Sequence, residues 1–166
     1  MKHLLKTTLV LSIFLSLLSC SKDDESPSSN SLKADGVHFS INEANIMGIS
    51  AGDGGHTVIN LSGGNASGVQ NLAIDIDAYT RETIPGSYSY PTMEGDKALN
   101  DWLTNYMYTD SDITNITTSN LKSGQVTITH NGGNNYTLDM NLTMVDGATF
   151  TGIYTGDFSV MFSVNN

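Results

Sequence analysis

Hydrophobic and polar residues alternate with a period of two through much of the chain beyond residue 35. The clearest run is residues 136–144, where Tyr136, Leu138, Met140 and the next two even-numbered residues are apolar and the residues between them are polar. Successive side chains of a β-strand point to opposite faces of a sheet, so this run predicts a strand with one buried and one solvated face. A shift of one residue would move Thr and Asp into the core, so the register is well specified.

Shorter runs of the same kind predict further strands, and turn sequences rich in Gly, Asn and Asp separate them. In residues 71–79, Leu72, Ile74 and Ile76 are predicted to face inward, and Asp75 and Asp77 outward. Short strands with regular turns predict an all-β domain, either a single antiparallel β-sandwich or a lipocalin-like barrel. The predicted strands are residues 37–41, 45–50, 56–62, 71–79, 87–90, 125–130, 136–144, 149–155 and 158–164, and the polar residues 110–122 are predicted to form a loop.

Residues 96–108 fit two patterns. Leu99, Trp102 and Tyr106 have helical spacing, whereas Trp102, Tyr106 and Tyr108 alternate as in a strand. We predict at most one short helix near residues 96–106, or an irregular loop, followed by a strand from about residue 107.

The first twenty residues have a different pattern. Lys2 and Lys6 precede an apolar stretch at residues 7–18, which is shorter than the about 20 residues of a membrane-spanning helix and is typical of a secretory signal peptide. The stretch ends in Leu-Leu-Ser-Cys, which resembles the lipobox of bacterial lipoproteins, in which the cysteine is acylated and becomes the mature N-terminus. We therefore predict a signal peptide at residues 1–19 and lipidation of Cys20, for example by palmitate. The alternative is an ordinary cleaved signal peptide with a chance cysteine.

The residues after Cys20 are polar. Lys22, Asp23 and Asp24 resemble the signal that sends lipoproteins of Bacteroidetes to the outer face of the outer membrane; the alternative is a merely polar tether. The Ser-rich stretch that follows cannot bury enough apolar surface to fold. Residues 20–34 are thus predicted to be a lipidated, flexible tether, and residues 35–166 the β domain.

The chain carries a net charge of −10 and has one Cys. Residues 35–166 hold 14 acidic and 3 basic residues, a net charge of −11, so the acidity belongs to the predicted domain and not to the tether. Phosphate binding needs clustered Lys and Arg, so we expect no nucleic-acid partner and no direct contact with anionic lipid. The membrane partner is expected to be reached through the N-terminal lipid. A single Cys excludes an internal disulfide and a multi-cysteine metal site.

Three segments carry a family resemblance: GVHFSINEANIMG from residue 36, IPGSYSY from residue 84, and SGQVTITHNGGNNYTLDMNLTMVDGATFTGIYTGDF from residue 123. They resemble small lipoproteins common in Bacteroidetes, which have a lipobox, a polar tether and one domain of about this size. The resemblance implies an antiparallel β-sandwich or lipocalin-like barrel at the outer membrane. It implies no catalytic residue, because no activity is established for these families.

Candidate catalytic and metal-binding groups are sparse. Asp75 and Asp77 should project from one face about 6.5–7 Å apart, which overlaps the separation in inverting glycosidases. A catalytic pair flanks a cleft, however, and two carboxylates on one strand are typical of a solvated outer face. Asp53, Asp110 and Asp112 offer oxygen ligands, but their spacing matches no closed calcium loop. We predict no catalytic residue, no metal and no cofactor.

Five aromatic residues lie within 21 positions and include the only Trp: Tyr88, Tyr90, Trp102, Tyr106 and Tyr108. Flat rings with polar tips suit stacking on sugars or burial in a protein interface, and they equally suit closing one end of a sandwich. The sequence therefore predicts a non-enzymatic, surface-exposed module that binds a glycan or an envelope protein through these residues. The alternatives are a polysaccharide hydrolase that uses paired Asp residues and a purely structural envelope subunit.

Overall fold

The chain forms an all-β domain in the computed structural model, which describes residues 30–51, 54–65 and 68–162. Strands account for most of these residues and no helix occurs among them, which confirms the all-β prediction. Within these ranges, accordingly, no helix has the length and hydrophobicity to span a membrane. Cys20, Lys22, Asp23 and Asp24, on which the anchor and export predictions depend, lie outside the described residues.

The strands vary from two to seventeen residues in length. In chain order they are β1 (Lys33–Ala34), β2 (Val37–His38), β3 (Ile41–Ala51), β4 (Gly54–Asn65), β5 (Gly68–Ile76), β6 (Gly86–Tyr90), β7 (Lys97–Ala98), β8 (Asn105–Asp110), β9 (Ile116–Gly132), β10 (Asn135–Met144), β11 (Thr149–Asp157) and β12 (Ser159–Phe162).

The strands form one open sheet in the order β12-β3-β4-β5-β8-β9-β10-β11-β1-β2, with β6 on β9 and β7 on β6. Pairing among the described strands is antiparallel, except that β12 runs parallel to β3 and β7 parallel to β6. The sheet is therefore mixed, and two of its pairings depart from the wholly antiparallel arrangement that the alternation predicted.

Strand β9 belongs to both layers of this sandwich-like fold. Its residues 116–120 pair with β8, whereas residues 121–132 pair with β10 and residues 124–128 also pair with β6. The first layer comprises β12, β3, β4, β5, β8 and the start of β9, and the remaining strands form the second layer. The inner faces meet at contacts such as Tyr106 of β8 with Phe150 of β11, whose ring centroids are 5.5 Å apart.

The core follows the predicted alternation. Tyr136, Leu138 and Met140 are buried, and so are Leu72 and Ile74 on the opposite layer. Each large side chain that is fully buried contributes about 1.5–3 kcal/mol to stability relative to an exposed one. The even-numbered residues of β10 and of β5 thus hold the two layers together.

The first described residues, from Asn30 onward, already pack on the domain, although its start was predicted at residue 35. Leu32 is fully buried, and Lys33 and Ala34 of β1 pair with Thr151 and Phe150 of β11. The Ser-rich composition of this stretch predicted a tether. One apolar side chain of the stretch nevertheless lies in the core, and its backbone pairs with β11.

Residues 96–106 contain no helix: they form β7, an irregular segment and the start of β8, which agrees with the predicted irregular loop followed by a strand. The predicted loop at residues 110–122 is wrong, because it is largely strand and β9 begins at Ile116. The first buried residue of β9 is the polar Ser119, and Ile116 is exposed, so the hydrophobic alternation that marks the other strands is missing at this end.

We expect Gly152→Ala to destabilise the domain more than Gly132→Ala. Both glycines have a positive φ, +117° and +110°, which costs an L-residue about 1–3 kcal/mol. A Cβ at Gly152 would lie 2.6 Å from the Ser31 carbonyl oxygen, whereas a Cβ at Gly132 would meet nothing within 4 Å. Gly152→Ala should therefore cost about 1–3 kcal/mol more, measured as the difference in unfolding free energy in urea. Equal losses would show that the start of the chain does not pack on β11 in solution.

Candidate functional site

Asp75 is fully buried, although it was predicted to lie on a solvated face. The face itself is the predicted one, opposite Leu72 and Ile74, but β8 pairs with β5 only as far as Ala73. The segment between β7 and β8 covers the remainder of β5. The Asn100 N–H donates to the Asp75 carbonyl at 3.0 Å, and the Asp75 N–H donates to Thr104 Oγ1 at 3.0 Å. The alternation of apolar and polar residues within β5 does not show that a later segment of the chain covers the outer face of this strand.

The Asp75 carboxylate is paired with His56. Nδ1 of His56 lies 2.5 Å from Asp75 Oδ2, and the imidazole remains 27% exposed. In the register of β4 and β5, Val58 lies opposite Asp75, so His56 is its diagonal neighbour on the same outer face. The hydrogen bond fixes the orientation of the ring and leaves its Nε2 edge as the part of the side chain that can meet solvent.

Burial raises the pKa of Asp75 above its ordinary value of 3.8. The hydrogen bond and charge of His56 and the nearby Asn100 amide lower this pKa, and the negative charge of Asp77 raises it, with burial prevailing. Oδ1 of Asp75 is buried and has no hydrogen-bond partner of normal geometry within the described part of the chain. The carboxylate is thus held by His56 at Oδ2, with the Asn100 amide close by.

These groups line a pocket of about 240 Å³, which we call the His56 pocket; it is lined by His56, Asp75, Asp77, Ala98 and Asn100. Pockets for drug-sized ligands are about 300–1,000 Å³, so this one suits a single small group. No set of three or more His, Cys, Asp or Glu side chains in the described ranges is arranged to hold a metal ion. Asp75 faces His56 here and not a second carboxylate across a cleft.

The only Trp of the chain lies two residues after Asn100 on a tight turn, residues 100–104, which we call the Trp102 turn. The Thr104 N–H donates to the Asn100 carbonyl at 3.0 Å, and Asn120 Nδ2 of β9 donates to the Trp102 carbonyl at 3.1 Å. Trp102 is nevertheless 67% exposed. Asn100, which lines the pocket, is two residues away, so their Cα atoms are within about 7 Å. The backbone that carries the Trp102 ring is thus fixed by hydrogen bonds, while the ring itself is exposed to solvent.

Tyr90 contacts the other side of the Trp102 turn. The hydrogen bond with Asp101 and the charge of that residue raise the pKa of Tyr90. Tyr90 also lines a second, more open pocket of about 420 Å³ together with Met93, Gln125 and Asn141. Residues of the turn thus reach both pockets, through Asn100 in the first and through the bond of Asp101 with Tyr90 in the second.

The other predicted aromatic residues serve different purposes. Tyr88 is fully buried and donates to the Ile84 carbonyl at 2.7 Å, and burial raises its pKa to about 12. Tyr106 is buried and donates to Asp146 Oδ2 at 2.6 Å. With Tyr108 it lines a third pocket of about 250 Å³, in company with Asp35 and Gln70. The five aromatic residues are thus divided between the core, the third pocket and the surroundings of the Trp102 turn.

Comparison with known proteins gives no family assignment: no protein-family model, no curated protein and no solved structure matches the chain significantly.

Sequence analysis missed His56 and Asn100. His56 alternates with Val58 on the polar face of β4 like any solvated residue, and Asn100 stands in a segment of ambiguous pattern. Both belong to the site because of the register between β4 and β5 and the path of the segment after β7, neither of which a local pattern encodes.

We expect Asp75→Asn to leave the unfolding free energy at pH 7 unchanged or higher. The raised pKa means that the fold disfavours the charged form, and Asn keeps the shape and a hydrogen bond to His56. In the wild type, Asp75 stabilises the fold fully below pH 3.8, and this contribution is lost as the pH rises through the higher native pKa. The unfolding free energy of the variant should lack this decrease with rising pH, as measured by urea unfolding between pH 3 and 7.

The control is Asp139→Asn, which removes an exposed carboxylate from β10. A loss of more than about 3 kcal/mol in Asp75→Asn alone would contradict the expectation, because it would show that the His56–Asp75 pair is a net stabilising ion pair.

Proposed function

We propose that the protein is a surface-exposed outer-membrane lipoprotein whose β domain is a non-enzymatic module that binds a glycan at the Trp102 turn. The observation that carries the proposal is the exposure of Trp102 on a turn whose backbone is hydrogen-bonded at Asn100, Trp102 and Thr104. A large aromatic ring in water gains free energy when a flat apolar surface covers it. The pyranose ring of a sugar presents such a surface.

Fixed backbone geometry favours binding over a structural role for this ring. Ordering a loop on binding costs free energy, and a turn that is already ordered avoids that cost. An aromatic residue whose role was only to close the sandwich would be buried, as Tyr88 and Tyr106 are.

The surroundings of the turn suit sugar hydroxyl groups. Asn100 and Asp77 line the pocket on one side, and Tyr90, Gln125 and Asn141 line the pocket on the other. Amides both donate and accept hydrogen bonds, and carboxylates accept them, so together they match hydroxyl groups of either orientation. A glycan of several units could lie across Trp102 with a unit in each pocket.

The lipid anchor and surface location rest on the sequence alone. The lipobox ending at Cys20 and the following Lys22, Asp23 and Asp24 support attachment to the membrane and export to the outer face. A module held at the surface by a tether meets extracellular glycans directly, which agrees with an exposed binding face.

We expect Trp102→Ala to weaken binding to any glycan identified on an array by about tenfold or more, which corresponds to about 1.4 kcal/mol or more. Because Trp102 is the only Trp, its fluorescence in the purified full-length wild type should also change on titration with that glycan. Trp102→Phe should retain part of the affinity, since it keeps an aromatic face.

The matched control is Val37→Ala on β2. Val37 is 64% exposed, close to the exposure of Trp102, but β2 lies at the far end of the strand order. This variant should bind like the wild type. A glycan that binds Trp102→Ala and the wild type equally would refute the proposed site, and an array with no ligand would favour the envelope-protein alternative.

We expect Cys20→Ala to release the protein from membranes. Several acyl chains give stable anchoring because each buried CH₂ contributes about 0.8 kcal/mol, and alanine has no thiol that can carry them. The measurement is partition of the full-length chain between detergent and aqueous phases, with Ser19→Ala as control. A Cys20→Ala variant that stays in the detergent phase would refute lipidation at this residue.

A further inference from the structure

The second pocket, of about 420 Å³, has a lining without charge, and we call it the Met93 pocket; it is lined by Tyr90, Pro91, Thr92, Met93, Gly124, Gln125 and Asn141. Its volume lies within the range of about 300–1,000 Å³ that is usual for small-molecule sites. Every residue in this lining is uncharged, although residues 35–166 carry a net charge of −11. The chemistry of the pocket therefore differs from that of the domain as a whole.

The segment after β6 supplies the apolar part of this lining, and hydrogen bonds hold the segment in place. The Met93 N–H donates to Oγ of the buried Ser89 at 2.8 Å, and the Asp96 N–H donates to the Met93 carbonyl at 3.1 Å. The Met93 side chain is nevertheless 51% exposed, and Pro91 of the same segment is also exposed. Because a thioether side chain is flexible, it adapts to the shape of an apolar surface. The segment thus offers adaptable apolar contact on a fixed backbone.

Two amides supply the polar part of the lining. Asn141 of β10 lies directly opposite Gln125 of β9 in the register, and both residues are exposed. Residues in this relation have Cβ atoms about 4.5–5.5 Å apart. Gln125 Nε2 donates to Asp96 Oδ2 at 3.0 Å, which orients the amide and leaves its Oε1 as an acceptor. The pair therefore offers neighbouring donors and acceptors, which match the neighbouring hydroxyl groups of a sugar ring.

The charges around the pocket distinguish neutral from ionic ligands. Asp96 bonds to Gln125 and Asp101 bonds to Tyr90, so two carboxylates contact the lining without being part of it. These carboxylates and the net charge of the domain repel an anionic sugar. An ammonium group in the pocket would lose water without meeting a carboxylate in the lining, which costs free energy. A neutral pyranose has a C–H face for Met93, hydroxyl groups for the amides and no charge to desolvate.

We propose that the Met93 pocket is the subsite that selects the glycan, and that it takes an uncharged hexopyranose unit. The inference rests on the proposed glycan-binding function and names the class of sugar. Asp101 precedes Trp102 in the chain and bonds to Tyr90, so the subsite is connected to the Trp102 turn. In this arrangement the C–H face of the sugar packs on Met93, and its hydroxyl groups bond to the two amides.

The test compares two matched pairs of linear tetramers by calorimetry, with the purified full-length protein at pH 7 and about 0.15 M salt. A glucose tetramer is compared with a glucosamine tetramer of the same linkage, in which an ammonium group replaces one hydroxyl on each ring. A mannose tetramer is compared with a mannuronate tetramer, in which a carboxylate replaces the hydroxymethyl group. We expect at least one neutral tetramer to bind at least about tenfold more tightly than its charged counterpart. Its affinity should change little when the salt concentration is varied.

Variants then locate the contact. Met93→Ala should weaken binding of the neutral tetramer about tenfold, because it removes the apolar contact. The matched control is Met161→Ala, which truncates a methionine that is 56% exposed on β12 and should leave the affinity unchanged. Asn141→Asp keeps the shape of the side chain and places a carboxylate in the pocket. It should weaken the neutral tetramer and strengthen the glucosamine tetramer at least about threefold.

The outcomes separate the two proposals. A charged tetramer that binds as tightly as its neutral counterpart would overturn the selection of a neutral sugar and retain the glycan-binding function. A neutral tetramer that binds Met93→Ala and the wild type equally would overturn the Met93 pocket as the subsite. Failure of all four tetramers to bind would overturn the inference, and the array result for Trp102→Ala would then decide the glycan-binding function by itself.

Discussion

The fold depends on the continuity of backbone hydrogen bonds along β9. This strand pairs with β8 over its first five residues and with β10 over the rest, so one chain segment joins the two layers. The register shifts beside Met144, and Gly124 lies so close to β10 that a Cβ there would be 2.5 Å from the Asn141 carbonyl oxygen. A bulge and a residue without a side chain let the sheet turn while its backbone groups remain paired. Because the sheet changes direction at β9, the inner faces of its two layers lie opposite each other and share one core.

The candidate site is a consequence of unequal strand lengths. Strand β5 continues to Ile76, whereas β8 pairs with it only as far as Ala73. The backbone groups beyond that point need other partners, since burying them unpaired is costly. Asn100, Thr104 and Leu99 provide them, and in doing so they bury Asp75 and fix the turn that carries Trp102. The same backbone requirement thus creates the pocket and exposes the ring.

Sequence patterns predicted the strands well where a strand has one apolar and one polar face, as in β10 and β5. They failed where the burial or the partner of a residue depends on segments that are distant in the sequence. Leu32 was assigned to a tether because its neighbours are polar, yet it is fully buried in the core, and the next two residues pair with β11. Of the five aromatic residues, local sequence could not separate buried Tyr88 from exposed Trp102. The pairing of His56 with Asp75 required a register between β4 and β5 that neither strand specifies alone.

Both ends of the described chain add a strand to an edge formed by residues far away in sequence. Ser31 bonds to Ile153, 122 positions away, and Ser159 of β12 lies opposite Asn45 of β3. Such pairings close long loops, so folding is expected to be slow and to need almost all of the described chain. Until then β3 and β11 remain open edges that can pair with other molecules. Proteolytic trimming of either end would therefore promote aggregation before it removed any residue of the binding face.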